Sequence, residues 1–316
     1  MQGGRNDLLI ARSVEEEHRR QAFDVLLARS GSLLYRLRHV KDCPKVLMLD
    51  DRAGWEVRTL PHWGQRIRSL PFALISDHFD RQAIRSADLV FVLTAVLAKE
   101  LERWVVGSES KTVIVPASID PEWTELPPPS RKDRQSPPVV FFQGNGPKGV
   151  GRRDLELFVR TLGVLRHRGI SVQALFLRVD EAKTRQLCTR FGVPFELAPP
   201  MSQPELIQTY DRSAVLAIPS RREGFCIPLI EAAARGTPVV YSNLPHMREV
   251  MAGSSAGLGV DDFQLGSWAD TMERVLADDE TWGEMSRAGP ALANRYISPR
   301  VAEAVERLLV RHLGPG

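Results

Sequence analysis

Two glutamates, Glu223 and Glu231, stand with seven residues between them in the run E-G-F-C-I-P-L-I-E-A-A-A-R-G-T-P-V-V that spans 223–240. An ionised carboxylate only accepts hydrogen bonds, so each is a natural partner for a ligand hydroxyl. Between them the sequence predicts the start of a helix. Pro228 suits a first helical turn, where its missing N–H costs nothing. Leu229, Ile230 and the alanines at 232–234 are good helix formers. Gly236 fits the C-terminal cap, and Pro238 lies just beyond it. The unpaired N–H groups around Gly224, Phe225, Cys226 and Ile227 then point out of the helix N-terminus. There they and the helix dipole together favour phosphate. Glu231 alone, placed in the first helical turn, is as well explained as a partner of that dipole. The whole pattern is much harder to reach by accident.

The flanking residues supply a scaffold. An apolar run at 215–218 reads as a buried parallel strand, and 239–241 starts the next one, which makes a strand–loop–helix–strand unit of an α/β sheet. A second candidate phosphate site comes after the apolar strand 139–142, where Gly144, Asn145 and Lys148 lie in the loop G-N-G-P-K-G. A glycine loop with one lysine after a strand can cradle phosphate, although many βα turns share that look. A phosphate site bracketed by two hydroxyl acceptors suits a ligand with a diphosphate in its middle and hydroxyls at both ends. That describes a nucleotide-sugar.

The run 223–240 closely resembles the E-x7-E signature of retaining, nucleotide-sugar-dependent glycosyltransferases of family four, which have the GT-B fold. The resemblance implies that Glu223 contacts the donor sugar, that the backbone of Phe225, Cys226 and Ile227 holds the diphosphate, and that Glu231 accepts from the ribose hydroxyls. It matches Lys148 to the family's phosphate-binding lysine. The family's arginine falls at Asn145, and Arg152 or Arg153 is the expected substitute. The family's "G-D-G" is Arg178-Val179-Asp180 here, which leaves base contacts unassigned. Asp50, at the end of the strand 46–49, takes the place where relatives often carry a histidine, and it is the candidate to orient an acceptor hydroxyl. Trp55, His62 and Trp63 fall in the acceptor-side neighbourhood. The paired Asp261 and Asp262 read as a turn, and no metal is expected, because transferases of this type need none to bind the donor.

The fold expected is α/β, two Rossmann-like domains facing across a cleft. Residues 1–126 form the acceptor-side domain, 127–138 a proline-rich linker, 139–298 the nucleotide-sugar domain, and 299–316 a helix packing back toward the first. The stretch 7–11 reads as a strand, Ser13 with Glu16 as a capping box, and the region around 25–27 as helix. With D-L-L-I-A-R-S at 7–13 taken as the family's first-domain motif, about three upstream strands are missing, and the first domain is expected to be truncated. Its exposed strand edge then calls for a longer reading frame, a second copy or a partner.

Composition is that of an ordinary globular chain: 316 residues, 43% hydrophobic and 26% charged. A net charge of +3 argues against a dedicated nucleic-acid binder. Cys43, Cys188 and Cys226 match no disulfide or zinc spacing and read as reduced thiols. No apolar run reaches a membrane span and no signal peptide is seen, so the expected compartment is the cytoplasm. Basic clusters such as 36–41 and 66–68 read as solvated faces, with weak attachment to an anionic membrane face as the minor alternative. The expected activity is sugar transfer to a hydroxyl acceptor with retention, needing no cofactor. The rival is a non-catalytic subunit of the same fold.

Overall fold

A computed structural model of the chain describes residues 2–29, 31–50, 63–145 and 152–314, the side chains of 2–9, 63–66, 68, 69 and 72 excepted. The chain divides into two units, Met1–Pro116 with Val301–Gly316, and Ala117–Arg300.

The first unit holds a four-stranded parallel sheet in the order β1 (Leu26–Ala28), β2 (Lys45–Leu49), β3 (Leu89–Val92) and β4 (Thr112–Ile114). Successive side chains of a strand face opposite ways, and both faces here are covered. Leu47, Leu49, Val90 and Val92 pack with Leu34, Leu37, Leu97 and Leu101. Val46, Leu89, Phe91 and Val115 receive Val301, Val305, Leu308, Leu309 and Leu313 from the helix Ser298–Leu313.

Two expectations for the N-terminal region are corrected. Residues 7–13 lie inside the helix Gln2–Arg20, so Ser13 caps nothing. The first strand is instead Leu26–Ala28, where a helix was expected. The two heptapeptides are nearly the same: D-L-L-I-A-R-S at 7–13 and D-V-L-L-A-R-S at 24–30. Their continuations differ. The first runs into V-E-E-E-H-R-R with no breaker, which lets a helix continue. The second is cut short by Gly31, where the next helix begins. Leu26 N–H donates to Pro44 O at 2.8 Å, and Leu26 pairs with Lys45 to set the strand on β2. The residues that follow and the tertiary pairing, not the heptapeptides themselves, separate the two.

The second unit is a six-stranded parallel sheet, ordered β10-β9-β8-β5-β6-β7. The strands are β5 (Val139–Gln143), β6 (Gln173–Leu177), β7 (Phe195–Ala198), β8 (Val215–Ile218), β9 (Val239–Ser242) and β10 (Gly257–Val260). The chain builds outward from β5 through β6 and β7, then crosses back to start β8 on β5's other side. The strand order therefore reverses between β5 and β8, and the crevice beyond their C-terminal ends is where open α/β sheets bind ligands. Gly144 comes directly after β5 there, and Ser220 to Glu223 come after β8.

The proline-rich stretch expected as a linker belongs to this second unit. Arg134 is the reason. Its buried guanidinium donates to the carbonyls of Tyr210, Asp211, Ser213, Arg235 and Gly236 and to Thr237 Oγ1, at 2.7 to 3.1 Å. A segment anchored at the C-termini of two helices cannot act as a free tether.

Candidate functional site

The signature helix spans Ile227–Ala234, with Pro228 in its first turn as the sequence predicts. Its N-cap is Cys226, held in the left-handed region at φ 74°. At the other end Gly236 takes φ 55°, where a Cβ would lie 2.8 Å from Ser286 Oγ and 2.9 Å from Pro128 Cβ, so glycine is required twice over. Glu231 is the fifth residue of the helix and sits in its second turn, not the first. A dipole partner belongs in the first turn, so that explanation of Glu231 loses ground.

The two signature carboxylates are joined by a continuous chain of polar contacts. Arg153 Nε donates to Glu223 Oε1 at 2.9 Å, and its NH1 donates to the Gln143 carbonyl at 2.5 Å. Its NH2 lies 3.8 Å from Cys226 Sγ. The Tyr210 hydroxyl donates to Glu231 Oε2 at 2.8 Å and lies 3.2 Å from Gln143 Oε1, where the amide turned by half a rotation donates to it. Gln143, the last residue of β5, is thus the middle of a line running Glu223–Arg153–Gln143–Tyr210–Glu231. Ser220 Oγ adds a second donor to Glu223 Oε1 at 2.7 Å.

Burial sets the protonation states. Tyr210 is fully enclosed, and burial together with Glu231 pushes its phenol well up, so it stays a donor. Burial also pushes Glu231 above the ordinary carboxylate value, while the Tyr210 hydrogen bond and Arg153 pull the other way. Arg153 is held up by Glu223 against the cost of its burial and remains a cation. Burial raises the Cys226 thiol well above its usual value. Its part is structural, since a nucleophile needs the thiolate.

The remaining expected residues divide. Gly144 lies where a Cβ would come within 2.4 Å of the Arg178 carbonyl, so only glycine lets the end of β5 pass the backbone after β6. Asn145 is next in the chain, exposed. Phe225 packs its ring against Tyr296, with centroids 5.6 Å apart. Lys148 lies outside the described residues, as do Trp55, His62 and the side chain of Trp63. Asp50 is in the first unit, paired with Arg29. These two residues sit directly after the adjacent parallel strands β2 and β1, at the sheet's C-terminal edge. Asp261 accepts from the side chain of Asn243, tying together the ends of β10 and β9, and Asp262 accepts from Gln264 N–H within a turn. Among the described residues, no cluster of three or more side chains could hold a metal ion, and no helix is long and apolar enough to cross a membrane.

Sequence reasoning missed Gln143, Tyr210 and Ser220. A polar residue closing an apolar strand was a usable signal for Gln143. A tyrosine on a helix gave none for Tyr210. Arg153 was foreseen as a substitute cation, but not as the partner of Glu223.

Residues 185–291 match the family model described as glycosyl transferases group 1. Among curated proteins, the chain is 33% identical over 109 residues to a D-inositol 3-phosphate glycosyltransferase of Corynebacterium urealyticum, which is 34% of this chain and 26% of that one. It is 26% identical over 242 residues to the protein of the same description from Xylanimonas cellulosilytica, covering 72% of this chain and 57% of that one. Each match spans less than two thirds of the relative's length. Among solved structures, sucrose-phosphate synthase from Thermosynechococcus elongatus superposes with a TM-score of 0.78 at 18% identity, covering 96% of this chain and 77% of that one. HepE of Anabaena, solved with UDP-glucose, gives 0.73 at 16% identity, covering 96% and 82%. At such identities these likenesses speak to the fold.

Proposed function

We propose that this chain, whose residues 185–291 match the model of group 1 glycosyl transferases, transfers a sugar from a nucleotide-diphosphate-sugar to a hydroxyl acceptor with retention of configuration. The observation that carries this is the placement of Glu223 and Glu231 on either side of the left-handed turn at Cys226, joined through Arg153, Gln143 and Tyr210. Glu223 holds the donor sugar by its hydroxyls. The backbone from Gly224 to Ile227 takes the diphosphate at the helix N-terminus. Glu231 accepts from the ribose, with Tyr210 fixing its orientation.

Stabilisation of the leaving diphosphate is the main electrostatic contribution, supplied by the helix N-terminus, by Lys148 and by the Gly144–Asn145 loop. The attack takes place on the face the diphosphate leaves. Asp50 orients the acceptor hydroxyl. The donor panel begins with UDP-glucose, the ligand of HepE. The cytoplasm is the setting this reading implies, with the acceptor free in solution or at an anionic membrane face.

The test is thermal stability against nucleotides and nucleotide-sugars. A donor at about a hundred times its Kd adds about 2.7 kcal/mol, and Glu231→Ala abolishes the shift. Release of the nucleoside diphosphate in the presence of hydroxyl acceptors then identifies the enzyme. Binding without turnover on any acceptor would assign the chain to a non-catalytic subunit.

A further inference from the structure

Arg153 and Glu223 form the most deeply enclosed ion pair at the site, with side chains only 6% and 8% exposed. A buried pair of this kind contributes little net stability against an apolar alternative, although breaking it is costly. Its place in the site has to be sought in geometry. The guanidinium is a rigid planar fork, and here its three nitrogens address three separate parts of the crevice: Nε the signature carboxylate, NH1 the end of β5, and NH2 the N-cap sulfur of the signature helix. The backbone of Arg153 is itself fixed, bridging antiparallel to Ser220.

Glu223 is held asymmetrically as a result. Oε1 accepts both from Arg153 and from Ser220, at 2.9 and 2.7 Å. The last torsion of a glutamate is broad and two-fold, so a free carboxylate presents either oxygen at a spread of angles. Two donors on one oxygen remove that freedom.

We propose that Arg153 is the positioning residue of the donor-sugar site: together with Ser220 it pins Oε1 of Glu223 and so fixes the angle at which that carboxylate meets a sugar hydroxyl. This rests on the proposed role of Glu223 as the sugar-side carboxylate. It also assigns Arg153 a duty other than clamping phosphate, because its donors are directed at Glu223, Gln143 and Cys226.

The experiment compares two probes that differ only in the sugar, UDP and UDP-glucose, with GDP and GDP-mannose as a second pair, on the full chain by calorimetry. In Arg153→Gln, the preference for the sugar-bearing probe over the bare diphosphate falls about tenfold or more, the scale of a hydrogen bond to a charged group. The affinity for the bare diphosphate falls much less than that for the sugar-bearing probe. Arg153→Lys restores part of the preference by returning one charged donor. Ser220→Ala removes the second Oε1 donor without touching the buried cation, and it lowers the preference in the same direction. It decides the matter where Arg153→Gln does not fold. An unchanged preference in Ser220→Ala and Arg153→Gln, or a parallel loss of both probes, overturns the proposal while leaving the donor site standing. A wild-type chain that binds none of the four probes overturns the underlying reading with it.

Discussion

Replacing Arg134 by methionine tests how the second unit holds its site together. The methionine keeps an apolar stem but removes a guanidinium that six acceptors share. Five of these are carbonyls at or just beyond the C-termini of the helices Gln203–Arg212 and Ile227–Ala234, where the last carbonyls have no intrahelical partner and the dipole is negative. The Tyr210 carbonyl keeps two bonds, from Thr237 Oγ1 at 2.9 Å and Ser213 N–H at 3.0 Å, so the loss is less than six full penalties. Stacking of Arg134 over Trp282, at 5.0 Å, is lost as well. With a buried acceptor costing about 1–3 kcal/mol when left bare, and the removal of one member of a buried charged network about 3–5 kcal/mol, we expect the variant to lose about 3–5 kcal/mol. At roughly 2–4 °C per kcal/mol for a unit of this size, Tm falls by about 6–20 °C. Arg134→Lys recovers little, because one ammonium cannot span the same acceptors. Calorimetry and urea unfolding read the result. A loss below about 1 kcal/mol in Arg134→Met would refute the reasoning and return the stretch 127–138 to the status of a tether.

The same geometry sets three further outcomes. Gly289→Ala places a Cβ 2.3 Å from the Ala233 carbonyl, which forces the signature helix away from Asp279–Ala293 and costs about 1–3 kcal/mol in a denaturant melt. Tyr210→Phe removes the donor on Glu231 and weakens nucleotide binding by about 5- to 20-fold in a titration, with little change in fold. Glu231 has a raised pKa through burial, so the folded chain keeps a proton that the unfolded chain has already lost. Stability therefore falls as pH climbs from the ordinary carboxylate value, about 4.3, through the raised one, and is flat above it. Glu231→Gln removes that slope and melts higher than wild type at neutral pH while failing to bind the donor. A variant with the wild-type slope would assign the slope to another group.

Most of the second unit was legible in the sequence because its signals are local and agree with one another. Apolar strands, Pro228 at a helix start and Gly236 at its end all recur in the structure. The first unit was harder, and the reason is visible in its two D-x-L-x-A-R-S segments. The same letters make a helix at 7–13 and a strand at 26–28, and what lies outside them, the residues that follow and the partner strand β2, decides between them. The site divides in the same way. Both glutamates and the turn between them lie in one run and could be read from it. Arg153, Gln143 and Tyr210 come from three separate segments that meet only where the strand order reverses. The anchoring of Arg134 was hidden for a similar reason, since the six acceptors that hold it are scattered over residues 210–237.

The measurement that bears most directly on the central claim is the anomeric configuration of the first product, monitored by proton NMR as the chain consumes the α-linked nucleotide-sugar that stabilises it. The account predicts an α-linked product that does not form with Glu223→Ala. A β-linked product, or a donor that binds and is never consumed with any hydroxyl acceptor, would contradict it.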